Sequence, residues 1–208
     1  MKKIIPFIAL LSPAALANTY IGIEAGTADV KSEESITSKD GAIDITPEGS
    51  DTVIGGFIGY KFENNWAVEF SYSQFSSEDS ITNKELNQGI VVEQELDAEF
   101  DANQFALKPV YFYPLSENLT LKASLGITYT QYEFSSSYEI EYDSVLDVMD
   151  IDIPVAKSSN DDDAFGGIVS VGLEYNVWDN LNLGANVKYQ QDSIASNTQF
   201  NISASYYF

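Results

Sequence analysis

The chain has 208 residues and a formal net charge of −22, contains neither cysteine nor histidine, and has lysine at all ten of its basic positions. This length suits one domain or one small barrel with long loops, and the negative charge argues against nucleic acid as a partner because phosphates would be repelled. The absence of cysteine excludes a disulfide framework.

The N-terminal segment has the features of a secretion signal. Residues 1–3 form a short basic region with two lysines, residues 4–11 are apolar, and small residues lead up to Ala17. The apolar run is too short to span about 30 Å of hydrocarbon, so a membrane anchor is the weaker interpretation. We predict a signal peptide over residues 1–17, cleaved after Ala17, and one mature domain over residues 18–208.

Apolar residues alternate with small or polar ones in eight segments, a pattern that predicts eight β-strands with one apolar face each. In chain order, the residues predicted to share the apolar face are Ile21, Ile23 and Ala25; Ile54, Ile58, Tyr60 and Phe62; Trp66, Val68, Phe70 and Tyr72; Phe105, Leu107, Tyr111 and Tyr113; Leu119, Leu121, Ala123, Leu125, Ile127 and Tyr129; Val169, Val171, Leu173, Tyr175 and Val177; Leu183, Ala185, Val187 and Tyr189; and Phe200, Ile202, Ala204, Tyr206 and Phe208.

The connections between these strands alternate between long and short. Short turns are predicted at residues 63–65, 114–118 and 179–180, and a brief polar link at residues 190–197. The long connections are acidic stretches at residues 29–51, 76–101 and 133–163, which we predict to be solvated loops. In the third, Tyr138, Ile140 and Tyr142 alternate with acidic residues, so that hairpin should continue before it becomes a loop. Pro109 requires a place where no ladder hydrogen bond is needed from its nitrogen.

An even number of strands, with long connections at one end and short turns at the other, is typical of an outer-membrane β-barrel. The alternative is a soluble eight-stranded barrel or jelly roll, in which the apolar face would point inward. Seven charged residues help to decide between these folds because they lie mid-strand on the polar face and nearly balance: Glu24, Lys61, Glu69, Lys108, Lys122, Glu174 and Lys188. A narrow lumen would require such pairing.

Aromatic residues near the predicted strand ends suit girdles at the two membrane interfaces. They are Trp66, Tyr72, Tyr113, Tyr129, Tyr175 and Tyr189. Together with the signal peptide and the terminal Phe208, they favour an all-β, eight-stranded, antiparallel, up-and-down transmembrane barrel over residues 18–208. Both termini would then be periplasmic and the three acidic loops extracellular.

Four sequence segments carry a family resemblance: Tyr20-Ile21-Gly22, residues 56–62, residues 65–69 and the ending Tyr206-Tyr207-Phe208. They resemble the small porin-like outer-membrane β-barrels, including the opacity-type proteins, and the size and acidic loops also fit accessory colonisation factors. The resemblance implies a Gram-negative outer membrane, contact with lipid and lipopolysaccharide, and recognition of the final strand by the barrel assembly machinery.

Catalysis is weakly supported. Barrel-type outer-membrane hydrolases and transferases use a histidine base, and this chain has none. Glu139 and Glu141 could in principle act as an acid–base pair, but a solvated face is favoured because perturbed carboxylates need burial. We therefore predict no catalytic residues and no cofactor.

A pore and a metal site are two further hypotheses for this sequence. An eight-stranded lumen is narrow enough for side chains to fill it, which opposes conduction. The carboxylates at Asp147, Asp150, Asp152 and residues 161–163 could gather hard cations, but they lack the spacing of a calcium loop and favour a solvated charge run, so no metal site is predicted. The sequence favours a surface protein whose acidic loops serve adhesion, another surface interaction or envelope integrity, with a small-solute or ion pore as the alternative.

Overall fold

The computed structural model describes residues 18–32, 36–37, 44–45, 48–87, 90–144 and 150–208. The predicted signal peptide therefore lies outside the described residues. Within them, no helix is long and apolar enough to cross a membrane. Eight long strands are present: β1 (Thr19–Ser32), β2 (Glu48–Lys61), β3 (Trp66–Asn87), β4 (Ile90–Pro114), β5 (Leu119–Ser144), β6 (Asp150–Trp178), β7 (Leu181–Gln191) and β8 (Ala195–Tyr207). A two-residue pair, Ile36–Thr37 with Asp44–Ile45, lies between β1 and β2.

The eight strands form a closed barrel in which each strand pairs antiparallel with the next. β1 pairs with β8 from Tyr20 opposite Tyr207 to Ser32 opposite Ala195, which closes the sheet. Near the start of this seam, the Phe208 N–H donates to the Thr19 carbonyl at 3.0 Å. The predicted eight-stranded up-and-down barrel is confirmed. The start of β1 and the end of β8 both lie at the end of the barrel that carries the short turns, which we call the short-turn end.

The apolar face of the strands points outward. Ile23, Leu125 and Ile202 are 70%, 62% and 71% exposed, whereas Glu24 and Gln199 on the other face are buried. A soluble barrel would show the reverse arrangement, because its large apolar side chains fill the interior. The outward band of apolar side chains is the surface expected to face lipid.

The predicted short turns are confirmed at residues 62–65, 115–118 and 179–180, between the strands they were expected to join. Asn65 has a φ of 65°, in the left-handed region that asparagine tolerates better than most residues. The link between β7 and β8 is shorter than predicted and comprises only residues 192–194.

The prediction of three long acidic loops was wrong in extent, and in the first of them residues 29–32 and 48–51 belong to β1 and β2. Residues 76–87, 90–101, 133–144 and 150–163 continue β3, β4, β5 and β6 as one four-stranded sheet, which we call the projecting sheet. Its pairing runs to Asn87 opposite Ile90 and Asp143 opposite Asp150. The acidic residues alternate there with β-branched and aromatic ones, and this periodicity outweighs the loop preference of charge. The hairpin predicted to continue past Tyr138 is confirmed.

Pro109 lies in β4, where one ladder is interrupted. The register between β4 and β5 passes from Leu107 opposite Ile127 to Val110 opposite Ser124, and leaves out Lys108 and Pro109 without a shift. Pairing with β3 continues through this position. The proline therefore lies where the prediction required, at a gap in a ladder.

Candidate functional site

The lumen contains a group of alternating charges that we call the charged layer. Its members come from six different strands and face inward because they occupy the polar side of the alternation: Glu24, Glu69, Lys108, Lys122, Glu174 and Lys188. The Lys108 Nζ lies 2.8 Å from Glu69 Oε1. The Lys122 Nζ bridges two carboxylates, at 3.7 Å from Glu69 Oε2 and 3.3 Å from Glu174 Oε2. Lys188 pairs with Glu24.

Hydroxyl and amide donors also bind the carboxylates of this layer. The Tyr20 hydroxyl donates to Glu69 Oε2 at 2.9 Å, and the Tyr207 hydroxyl donates to Glu174 Oε1 at 2.7 Å. Asn182 Nδ2 also donates to Glu174 Oε1, at 2.7 Å. A buried ion pair is tolerated only when its remaining hydrogen-bonding capacity is filled, and these donors meet that need.

Lys61, the seventh predicted charge, is not part of this layer. It ends β2 at the short-turn end, where its Nζ lies 4.7 Å from the centroid of the Phe112 ring. The near balance predicted from the sequence is therefore an equality of three carboxylates and three lysines in the charged layer.

An apolar cluster closes the lumen on each side of the charged layer. At the short-turn end, Tyr20, Ala67, Val110 and Phe112 are buried together, and the Tyr20 ring stacks on Tyr207 with centroids 5.0 Å apart. At the opposite end, which we call the long-hairpin end, a second cluster fills the mouth: Ala28, Val30, Val53, Phe75, Ala102, Tyr132, Phe134, Ala164, Ile194 and Ala195. The lumen is thus filled along its length by side chains.

Glycine makes the short-turn cluster possible. A Cβ at Gly59 would lie 2.2 Å from the Tyr20 ring, and one at Gly22 would lie 2.2 Å from the Phe57 ring. Real Cβ atoms do not approach other atoms so closely, so these two positions must lack a side chain for the aromatic rings to occupy the lumen.

The charged layer encloses a small cavity of about 40 Å³. Its lining includes Glu69, Lys108, Lys122 and Lys188, with Ser170 completing the polar wall. This volume accommodates about one or two waters. The arrangement can hold water among fixed charges, but it does not form a continuous aqueous path.

The turn between β7 and β8 is organised by Asp192. Its Oδ1 accepts the Ile194 and Ala195 N–H groups at 2.8 and 2.9 Å. Its Oδ2 accepts the Tyr132 hydroxyl and Gln190 Nε2, both at 2.7 Å. Burial, followed by the Asp192 charge, raises the pKa of Tyr132 well above its usual value.

Aromatic rows border the outward apolar band at both ends. At its long-hairpin border, the Tyr72 and Phe105 ring centroids are 5.1 Å apart, and those of Tyr129 and Phe165 are 5.0 Å apart. The predicted girdle residues all occupy the outer face, with Trp66, Tyr113 and Tyr175 towards the short-turn end and Tyr72, Tyr129 and Tyr189 towards the other. Tyr72 and Tyr129 lie inside long strands rather than at strand ends, whereas Tyr189 is close to the end of β7.

A row of carboxylates lies just beyond this second aromatic row. Asp101, Glu133 and Asp161 are direct neighbours across β4, β5 and β6, and all three are exposed. On the neighbouring strand, the Ser76 hydroxyl donates to Asp51 Oδ2 at 2.7 Å. This hydrogen bond, with a weaker contribution from the Thr52 N–H, lowers the pKa of Asp51. On β4, β5 and β6, the outer face thus changes from aromatic to anionic within four residues, as from Phe105 to Asp101 on β4.

The other acidic residues considered in the sequence lie farther out. Glu139 and Glu141 belong to β5, and Asp150 and Asp152 to β6, all beyond the apolar band, and the side chains of these four are outside the described residues. Asp147 also lies outside them. Residues 161–163 are all exposed. Among the described residues, no group of three or more His, Cys, Asp or Glu side chains is arranged to hold a metal ion.

Sequence reasoning missed the structural parts played by Tyr20, Tyr207 and Asp192. The first two carry a usable signal, because a large aromatic on the polar face of a barrel strand must project into the lumen. Asp192 carries a weaker one, since an aspartate three residues before a strand is common in turns.

The whole chain resembles known outer-membrane barrels. The outer membrane protein beta-barrel domain family matches residues 5–208, whereas no curated protein sequence matches significantly. Neisserial surface protein A (NspA) is 13% identical with a TM-score of 0.55, and OprG of Pseudomonas aeruginosa is 16% identical with a TM-score of 0.51. Each alignment covers 92% of this chain and 97% of the other. Ail of Yersinia pestis, solved with the heparin analogue sucrose octasulfate, is 17% identical with a TM-score of 0.49, covering 92% and 99%.

At these identities the structural likeness shows the fold alone. It agrees with the closed eight-stranded barrel described above. The family match extends over nearly the whole sequence. The chain is therefore a member of the outer membrane protein β-barrel domain family.

Proposed function

We propose that this chain is a non-enzymatic surface protein of a Gram-negative outer membrane, whose projecting sheet contacts a host surface, a partner protein or the bacterial envelope. One observation carries the proposal: four strands continue far beyond the aromatic border of the lipid-facing band. Strands confined to a bilayer need only about 9–11 residues, whereas β5 has 26 and β6 has 29. The excess length presents a surface outside the membrane.

The charge of this surface restricts its partners. Residues 76–101 and 133–163 contain eighteen carboxylates and two lysines. Such a field attracts basic surfaces and repels anionic ones. Contact with anionic lipopolysaccharide would consequently need bridging divalent cations, and binding of a basic partner should weaken steeply with added salt.

The orientation follows from the general arrangement of bacterial barrels, whose short turns are periplasmic and whose long connections are extracellular. Both termini would then be periplasmic, and residues 1–17 would be removed as a signal peptide during export. The final strand presents Phe200, Ile202 and Phe208 outward, which supports its recognition by the barrel assembly machinery.

The pore and enzyme hypotheses receive less support. Apolar clusters on both sides of the charged layer oppose steady conduction. The chain offers no histidine as a base. The charged layer's three carboxylates are each paired with lysine, so they are poorly placed for acid–base work on a substrate.

The test is to shorten the projecting sheet without disturbing the barrel. Residues 79–98 and 135–159 would be replaced by short turns at the cross-strand pairs Asp79 with Ala98 and Ser135 with Ser159. Phe75, Ala102 and Phe134 remain, so the apolar cluster at the long-hairpin end is kept.

Cells that carry the shortened barrel should lose adhesion or serum survival relative to cells with the full chain. Heat modifiability on a gel should be the same for both proteins, which establishes that the barrel still forms. A matched variant keeps the hairpins but carries Asp101→Asn, Glu133→Gln and Asp161→Asn. It distinguishes an effect of the negative charge of this surface from an effect of the length of the hairpins. Unchanged adhesion and survival with the shortened, folded barrel would refute the proposal.

A further inference from the structure

One edge of the projecting sheet is open. β7 pairs with β6 only from Gly167 opposite Gln191 to the short-turn end, while β5 pairs with β6 as far as Asp150. Residues 150–166 of β6 therefore have a strand on one side, and within the described chain no strand pairs with the other. The turn of residues 192–194 is too short to reach along this edge.

Strand geometry shows which backbone groups face outward. The Asn176 N–H donates to the Asn118 carbonyl at 2.8 Å, on the β5 side. Hydrogen-bonding direction alternates along a strand, so even-numbered residues of β6 bond towards β5. Residues 157, 159, 161 and 163 then direct their N–H and C=O groups to the open side. In agreement, the Asp163 N–H donates to the Asp162 carboxylate at 2.8 Å instead of to a strand.

The usable part of this edge has two limits. At the outer end, the register between β5 and β6 shifts at Tyr138 and Glu139, and Pro154 follows opposite the shift. Bulges and prolines both prevent pairing at an edge. At the inner end, β7 begins. Residues 157–166, which we call the open edge, form a regular stretch longer than the five or six residues of a typical strand.

The opposite border of the projecting sheet differs from the open edge. On that side, β3 extends past its last partner in β2, Val53 opposite Phe75. The Ser76 hydroxyl there donates to Asp51 of β2, and the short segment Asp44–Ile45 also contacts β3. The open edge on β6 is consequently the more accessible of the two for another strand.

Charge determines which strand could bind there. Asp161, Asp162 and Asp163 are exposed on the open edge, and Glu133 is the neighbour of Asp161 on β5. Successive side chains alternate between the two faces of the sheet, so the three aspartates make both faces acidic, against the single Lys157 of this stretch. A second copy of this chain would bring the same charges and be repelled, whereas a strand with lysine or arginine on both faces would be attracted.

We propose that the open edge, residues 157–166 of β6, binds an extended basic segment of a partner protein by strand addition. Main-chain hydrogen bonds to residues 157, 159 and 161 would provide the pairing, and the aspartates would select basic side chains. This inference rests on the proposed surface function and specifies the chemistry of its partner.

The experiment uses the refolded mature chain in nanodiscs of zwitterionic phospholipid. The probe is a fluorescent peptide of about nine residues, alternating lysine with threonine or valine, which is long enough to form one strand. Its control has the same charge but prolines at alternate positions. Binding is measured by fluorescence anisotropy, and the site by amide hydrogen exchange. We expect the first peptide to bind and to protect residues 157–163, and the proline peptide to do neither.

Three variants separate strand addition from adsorption by charge. Ser159→Pro removes an outward N–H but no bond to β5, so it should weaken binding about tenfold or more while heat modifiability stays unchanged. Ser159→Ala, which keeps the N–H, should bind like the parent chain. Asp161→Asn with Asp163→Asn should weaken binding and reduce its dependence on salt.

Binding that survives Ser159→Pro would overturn the inference, as would protection that appears elsewhere in the sheet or equal binding of the proline peptide. If the peptide binds as expected but cells carrying the shortened hairpins adhere normally, binding at the open edge is supported and the adhesive function is refuted. If the shortened hairpins abolish adhesion but the peptide does not bind to the full chain, the adhesive function is supported and binding at the open edge is refuted.

Discussion

The Glu69 carboxylate of the charged layer interacts with both Lys108 and Lys122. Replacing Glu69 by glutamine leaves the Lys108 ammonium buried without its closest counter-charge. We expect this variant to lose about 3–5 kcal/mol of unfolding free energy, the usual effect of breaking a buried pair. Urea unfolding in phospholipid vesicles, followed by tryptophan fluorescence, measures the loss.

The double variant Glu69→Gln with Lys108→Met should lose less stability than the sum of its single variants, because no lysine is then left without its partner. Lys61→Met is the control, since Lys61 lies outside the charged layer against the Phe112 ring, and its loss should cost about 1 kcal/mol or less. Additive effects of Glu69→Gln and Lys108→Met would contradict the coupling.

Gly59 packs directly against the Tyr20 ring. Gly59→Ala would place a Cβ inside the Tyr20 ring position, whereas a Cβ at Gly167 meets only the Gly126 carbonyl, at 3.9 Å. The first variant should destabilise the barrel by about 1–3 kcal/mol through overpacking. Gly167→Ala should be neutral or slightly stabilising. The same urea titration compares them, and equal stabilities would show that the Tyr20 ring can move aside.

The turn of residues 192–194 joins β7 to β8 and also binds a side chain in the lumen. Asp192 caps the backbone of β8 and accepts the Tyr132 hydroxyl. Asp192→Ala should cost about 1–3 kcal/mol, because buried donors lose an acceptor. Asp192→Asn retains one carbonyl oxygen and should cost less. If alanine and asparagine at this position give the same unfolding midpoint, the cap does not stabilise the turn.

The sequence predicts the number of strands, the residues on the outward face of each strand, and the positions of the short turns. These features follow from period-two alternation and from the residues that favour turns. The alternation from Phe200 to Phe208, for example, fixes which residues face lipid. The extent of the projecting sheet could not be predicted in the same way. Residues 90–98 alternate well, but their charge suggested a solvated loop, and pairing with distant residues 136–144 decides the outcome.

The members of the charged layer were recognised for the same reason, since each lies on the polar face of a strand. Their partners were not, because Lys188 and Glu24 are 164 positions apart and come together only through barrel closure and stagger. The roles of Tyr20 and Tyr207 as donors to the carboxylates also depend on this closure.

Three layers of side chains block the lumen in series: the aromatic cluster at the short-turn end, the charged layer, and the apolar cluster at the long-hairpin end. We expect no steady conductance from the refolded barrel in planar bilayers, because no ion can pass without dehydration and displacement of paired charges. The double variant Tyr20→Ala with Phe112→Ala should also remain closed, since it opens only the first layer and leaves Phe75 and Phe134 in place at the other end. Stable ohmic steps from the parent chain, in a preparation that is fully heat-modifiable, would contradict this order and favour the pore function. Steps that appear only in the double variant would instead place the whole barrier in the aromatic cluster, and would show that the charged layer can rearrange to pass ions.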